Sequence, residues 1–229
     1  MSCEQTELTG KLMDIYNRLF EKFGPRRWWP ADNNLEMVLG AILVQNVSWK
    51  NTAAALQNLR EKGLIDLKKL LQVPVEELEE LIRPTRYYRT KAKKVKAFAC
   101  LVGEKYEGDL ERLLGLPLTS LREELIKVYG IGEETADSIV LYGSRQPIFV
   151  VDAYTRRIFH RLGFFSENIG YGEMQTFFMR HLKADVQLYN EYHALLDCLG
   201  SRLCRAKNPG CGECPLDDLC KYEEKGEGK

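Results

Sequence analysis

The stretch Glu124–Gly163, ELIKVYGIGEETADSIVLYGSRQPIFVVDAYTRRIFHRLG, decides how the chain is read. It has the pattern of a helix, a tight turn at Tyr129-Gly130-Ile131-Gly132, a second helix, a short apolar run, and Asp152 ahead of a third helix. Gly130 and Gly132 can each take φ > 0 and admit another backbone where a Cβ would block it. The helix after the turn opens with amides lacking an intrahelical acceptor, which favours an anion such as phosphate. An ordinary αα-hairpin with a glycine C-cap fits the same pattern. Asp152 comes after Ile148-Phe149-Val150-Val151 and precedes Ala153-Tyr154-Thr155-Arg156-Arg157-Ile158-Phe159, whose apolar residues have helical spacing. It is therefore first of all a helix N-cap.

Taken together, hairpin and aspartate resemble the helix-hairpin-helix DNA glycosylases of the endonuclease III superfamily. In that superfamily a phosphate-gripping hairpin is followed by a Gly/Pro-rich loop and an essential aspartate; Gly130, Gly132 and Asp152 stand at the matching positions. The resemblance implies an all-α, two-lobed fold. Residues 1–32 and 165–229 would form one helical lobe with an iron-sulfur loop at 204–220, and residues 33–164 a helical barrel lobe carrying the hairpin. It also implies double-stranded DNA with a damaged base as the partner, bound by a monomer.

Outward from the hairpin, the chain supports a helical reading. Its 229 residues allow one large domain or two small lobes, with a sizeable core. No apolar run approaches the roughly 20 residues of a membrane helix, so no membrane partner is expected. The N-terminus lacks the pattern of a signal peptide, and a cytoplasmic protein is expected, nucleoid-associated in a bacterium or archaeon. Apolar residues at helical spacing predict helices over Leu8–Phe23, Asn34–Leu43, Ala53–Leu59, Met174–Leu182 and Asn190–Leu199, with shorter pieces between Leu64 and Leu81. Leu113–Pro117 reads as a linker and Leu121 as the start of the helix entering the hairpin. Phe149-Val150-Val151 is the one plausible strand, too short and solitary for a sheet. The fold class is therefore all-α.

Net charge is zero, which by itself does not advertise a nucleic-acid binder. Its distribution matters more. Residues 83–96, RPTRYYRTKAKKVK, hold no acid, and Tyr87 and Tyr88 sit among Arg83, Arg86, Arg89, Lys91, Lys93, Lys94 and Lys96. Aromatic rings interleaved with phosphate-directed charge suit DNA, while a solvated basic helix face is the alternative.

Cys204, Cys211, Cys214 and Cys220 have the spacing C-x6-C-x2-C-x5-C, with Pro209, Gly210 and Gly212 supplying turns. Four thiolates in so short a loop suit zinc or an iron-sulfur cluster. Zinc ribbons use two C-x-x-C knuckles, and only Cys211/Cys214 forms one here. The spacing is similar to that of the endonuclease III loop, which implies a 4Fe-4S cluster with a structural and DNA-docking role. Cys3, Cys100 and Cys198 read as ordinary thiols.

Lyase-competent members of that superfamily carry a lysine two residues after the second hairpin glycine, whose amine forms a Schiff base with the sugar. Here the position is Glu134. A chain without the amine uses water, with Asp152 orienting it or stabilising the charge that develops on the sugar, and Glu134 as a second candidate catalytic carboxylate. Glu133 reads as a first-turn acid favoured by the helix dipole.

Trp28-Trp29-Pro30, Leu43-Val44-Gln45-Asn46 with Trp49, and Gly130 to Asp137 are most similar to the 3-methyladenine DNA glycosylase III branch, although the iron-sulfur loop departs from its best-known member. The two adjacent tryptophans either plug the core or wall a planar ligand. The resemblance implies a base pocket of Trp28, Pro30 and Trp49, stacking on a cationic alkylated purine with about 0.5–2 kcal/mol of cation–π attraction. It also implies Tyr87 as a wedge in the duplex and Gln45 filling the gap of the flipped nucleotide. Gly130 and Gly132 would grip a phosphate, with Arg83, Arg86, Arg89, Lys91, Lys93 and Lys94 adding electrostatic contacts. Three alternatives stay open. They are a glycosylase for oxidised, deaminated or mismatched bases, a bifunctional enzyme recruiting another amine such as Lys127, and a non-catalytic DNA-binding iron-sulfur protein.

Overall fold

Helix starts in this chain are set by short polar side chains. Asn33, Asp66, Asp109, Asp152 and Asp185 each accept a hydrogen bond from the backbone amide three residues on, at 2.6–3.1 Å. Each such cap stabilises its helix by about 1 kcal/mol. The computed structural model describes residues 3–222, and every regular element among them is helical. In order these are α1 (Cys3–Phe23), α2 (Asn34–Leu43), α3 (Trp49–Glu61), α4 (Leu67–Gln72), α5 (Val75–Leu81), a 3₁₀ turn (Arg83–Thr85), α6 (Tyr88–Lys105), α7 (Leu110–Leu114) and α8 (Leu118–Ile126). Next come α9 (Glu133–Ser138), which continues as a π turn (Ile139–Gly143), α10 (Ala153–Arg161), α11 (Tyr171–His181), α12 (Val186–Arg202) and two 3₁₀ turns (Cys211–Glu213, Asp217–Leu219). Of the expected linker at Leu113–Pro117, Gly115–Pro117 connect α7 to α8, while Leu113 and Leu114 end α7, which Asp109 caps and which buries Leu110, Leu113 and Leu114. Trp49 opens α3 instead of preceding it.

The chain divides into two compact units, Met1–Trp28 with Pro147–Lys229, and Trp29–Gln146. In the second unit α2 is the hub, packing on α3, α6, α9 and the π turn. Every residue from Leu35 to Leu43 is buried, as expected of a helix apolar on nearly all sides. Its one buried acid, Glu36, pairs with Arg60 and accepts from the Asp32 amide at 3.1 Å. In the first unit α12 packs on α1 and α10. The Tyr192 hydroxyl donates to the Leu12 carbonyl at 2.8 Å.

Residues 147–164, placed with the hairpin by the sequence reading, fall in the first unit. The reason is packing. Ile148 to Val151 are at most 2% exposed, and Phe149 stacks on Phe178 at 4.0 Å and meets Tyr189 and Tyr192 edge-on. This extended segment gains no strand partner; the Gln175 amide donates to the Phe149 carbonyl at 2.7 Å instead.

Phe149→Ala removes the centre of that cluster. The expected loss is about 3–5 kcal/mol, read in a guanidinium melt monitored by circular dichroism.

Candidate functional site

The hairpin is built from α8, a turn and α9. Gly130 has φ +78, and a Cβ there would fall on the aliphatic chain of Lys94. Gly132 is extended, at φ −93 and ψ −176, and a Cβ there would meet nothing. Only Gly130 therefore needs glycine for its backbone, and Gly132 keeps the approach to the α9 N-terminus open. Ile131 anchors the turn at 4% exposure, and Arg122 clamps α8 to α9 through a fork onto the fully buried Asp137 at 2.6 and 3.3 Å. Glu134 is exposed in the first turn of α9.

Gln45, just past α2, is knitted to the hairpin. Its Nε2 donates to the Gly130 carbonyl at 3.2 Å and to Thr135 Oγ1 at 2.8 Å, and its Oε1 accepts from Lys94. Burial lowers the Lys94 ammonium pKa.

Arg86 and Tyr87 both have positive φ, +53 and +43, and Tyr87 is 71% exposed. Two such L-residues in a row cost about 1–3 kcal/mol each and persist only where their surroundings over-determine them. Lys91 supplies that constraint. Its ammonium donates to the carbonyls of Thr85 at 2.6 Å and Leu43 at 2.8 Å, holding the 3₁₀ turn to the end of α2. At 2% exposure, with its pKa lowered to about 8 by burial and then by Lys94, it has no surface charge for DNA. The expectation of Lys91 as a phosphate contact is corrected accordingly. Lys96 is likewise spent on the carbonyls of Leu70, Leu71 and Val73. Arg83, Arg86, Arg89 and Lys93 are exposed; Arg83 pairs with Glu80 at 3.0 Å, and both Arg83 and Arg89 lie over the Tyr88 ring.

The tryptophans part company. Trp29 meets Trp49 edge-on at 5.4 Å and Tyr142, from the π turn, at 5.3 Å. Trp28 lines a pocket with Arg26, Asp197, Ser201 and Arg202, while Pro30 is exposed. The structure thus joins Trp49 to Trp29 within the second unit, and Trp28 to α12 within the first.

Asp152 caps α10, its Oδ1 accepting from the Thr155 amide at 2.6 Å and the Thr155 hydroxyl at 2.7 Å. Its Oδ2 faces His193 Nε2 at 3.8 Å. One turn further along α12, Asp197 has its carboxyl pKa pushed up by burial and by the Asp152 charge, with His193, Arg26 and Arg202 acting against the rise. These groups meet because α10 and α12 approach closely at Gly200, where a Cβ would strike the Tyr154 side chain. Arg157 fixes the approach by donating to the carbonyls of Cys204 and Gly200 at 2.8 and 3.0 Å. The sequence reading missed His193 and Asp197. Their signal is two titratable residues at i and i+4 inside the apolar run YHALLDCL.

After α12, Cys204, Cys211, Cys214 and Cys220 line one hollow with Arg161 and Tyr222. Arg161 donates to Cys204 Sγ at 3.3 Å and to the Arg205 carbonyl at 2.9 Å, and lies over the Tyr222 ring at 4.1 Å. Burial, with the neighbouring thiols, pushes the Cys214 pKa up to about 11. None of the four is in a disulfide. Among the described residues no group of His, Cys, Asp or Glu side chains is drawn into a closed coordination set. Four thiols facing one hollow nonetheless provide donors of the kind an iron-sulfur cluster uses. Cys198 is buried and Cys100 exposed, while the side chain of Cys3 lies outside those described.

Residues 39–184 match the HhH-GPD superfamily of base excision DNA repair proteins. The chain belongs to this superfamily. Its relatives include MJ1434, a candidate DNA repair glycosylase of Methanocaldococcus jannaschii, 42% identical over 90% of this chain and 94% of that protein. Endonuclease III of Bacillus subtilis is 32% identical over 69% of this chain and 68% of its own length. Among solved structures, a trapped endonuclease III–DNA covalent intermediate has a TM-score of 0.81 at 25% identity, covering 93% of this chain and 95% of that one. Helicobacter pylori MagIII, a 3-methyladenine DNA glycosylase bound to 1,N6-ethenoadenine, has 0.70 at 26%, covering 84% and 94%.

For this HhH-GPD protein the two hairpin glycines should respond differently to a methyl group. Gly130→Ala, strained at φ +78 and against Lys94, is expected to cost about 1–2 kcal/mol in thermal melts. Gly132→Ala is expected to fold within about 0.5 kcal/mol of the parent while weakening duplex affinity in fluorescence anisotropy, since only its open face changes.

Proposed function

We propose that the protein is a monofunctional base excision glycosylase for alkylated purines such as 3-methyladenine, acting as a monomer on double-stranded DNA. The observation that carries this reading is Glu134. It stands where the lyase lysine is expected, and a carboxylate forms no Schiff base. Water then attacks the sugar. Asp152 has one oxygen committed to Thr155, and the other, which faces His193 at 3.8 Å, would orient that water or face the positive charge developing at C1′.

The remaining parts act according to their chemistry. Open amides beyond Gly132 take a backbone phosphate, and exposed Arg83, Arg86, Arg89 and Lys93 add charge. Tyr87, held out by its strained backbone, enters the base stack, and Gln45 exchanges its hairpin bonds for the gap left by the flipped nucleotide. The base-stacking roles of Trp28, Pro30 and Trp49 are carried over from the family resemblance alone. An alkylated purine is already cationic and needs selection more than acid, which aromatic faces provide. Cys204, Cys211, Cys214 and Cys220 would hold a 4Fe-4S cluster, whose contribution is to close the C-terminal loop into a rigid docking surface.

A second reading rests on Lys94. Lys127, the other candidate amine, is paired with Glu124 at 3.1 Å, whereas Lys94 lies against Gly130 with a lowered pKa, as an amine nucleophile requires.

Methylated duplex DNA separates the two. Release of 3-methyladenine or 7-methylguanine with no borohydride-trapped adduct is expected; a trapped adduct abolished by Lys94→Met would establish the second reading. Asp152→Asn is expected to lower base release by about 10²-fold or more, yet to melt within about 1 kcal/mol of the parent, because asparagine also caps helices. Elemental analysis should find about four irons per chain, lost in Cys214→Ser.

A further inference from the structure

Asp152 is not the only carboxyl group of its neighbourhood. Asp197 projects from α12 into the pocket that Trp28 lines, with Arg26 and Arg202 on the same walls. The charged and titratable groups facing it come from three elements. The loop after α1 contributes Arg26, the start of α10 contributes Asp152 and Tyr154, and α12 contributes His193, Cys198 and Arg202. The two carboxyls differ in surroundings. Asp152 accepts two hydrogen bonds from Thr155 and faces His193. Asp197 is half-buried beside Asp152, and burial together with that charge keeps its proton on to higher pH than an ordinary carboxyl. A carboxyl that keeps its proton, lining a pocket with an aromatic ring, is placed to act as an acid on a base held there.

We infer that Asp197 is a general acid, giving its proton to a ring nitrogen of an uncharged base held beside Trp28, so that neutral damaged purines are substrates as well as cationic ones. The inference rests on the excision reading above. As the C1′–N bond breaks, its electron pair leaves with the base, which the Asp197 proton keeps neutral. Asp152 faces the sugar cation. Water adds its oxygen to C1′ and releases a proton that restores Asp197 through solvent, so the sum is hydrolysis. Cationic bases leave without that proton and do not need Asp197.

The test is single-turnover release by the full-length protein from duplexes carrying either 7-methylguanine or neutral 1,N6-ethenoadenine, across pH. For the parent, release of the neutral base is expected to fall about tenfold per pH unit above the Asp197 titration, with 7-methylguanine release flat. Asp197→Asn should cost about 100-fold on the neutral base and less than about threefold on 7-methylguanine, and Asp197→Glu should restore the pH-dependent limb. Should the asparagine variant fail to fold, the parent's two pH profiles decide. Equal losses on both bases, pH-independent release of the neutral base, or release of 7-methylguanine alone would each overturn the assignment. Release of neither base overturns the excision reading itself, and this assignment with it.

Discussion

One oxygen of Asp152 belongs to the helix cap and the other faces His193. Oδ1 is saturated by the amide and hydroxyl of Thr155, which starts α10 and fixes the plane of the carboxylate. Oδ2 is left toward α12. Everything around it maintains that division. The close approach of α10 and α12 at Gly200, the fork of Arg157 onto two α12-end carbonyls, and the aromatic cluster burying Ile148 to Val151 set the depth at which the cap sits. A cap on a mobile helix would wander by more than a reacting geometry tolerates.

The hairpin and the Tyr87 turn of the second unit are held in a related way, by polar groups spent internally. Lys91 is a charge surrendered to two carbonyls, and the result is a tyrosine presented on a backbone that local preference alone would abandon. Gln45 ties α2 to the hairpin through the Gly130 carbonyl and the Thr135 hydroxyl. Lys91 holds the Tyr87 turn without any ligand, so that turn needs no further ordering on binding.

Much of this was legible in the sequence, and the gaps have physical causes. The bounds of α2 were readable because its apolar run is flanked by Asn33 and by the polar break at Gln45. Gly130 and Asp152 were readable because a turn and a cap demand particular residue types. Lys91 was misread because a basic run looks solvated, yet it lies in register with Val95, Phe98 and Val102, the buried face of α6. His193 and Asp197 went unnoticed because polar residues on a buried helix face acquire meaning only from the groups another helix brings to them. Which of two adjacent tryptophans meets Trp49 depends on where the chain passes from one unit to the other, and no local pattern encodes that.

The π turn at Ile139–Gly143 carries a consequence for how this helix can change. Its i to i+5 bond, from the Ser144 amide to the Ile139 carbonyl, accommodates one residue more than an α-helical turn. Deleting a residue there would return the helix to α geometry with the residues on either side close to their present faces. Only the residues of the turn itself, Tyr142 against Trp29 among them, would change their facing. A one-residue change in the length of this helix is therefore taken up within the turn that carries Tyr142, and the hairpin from which the helix starts keeps its place.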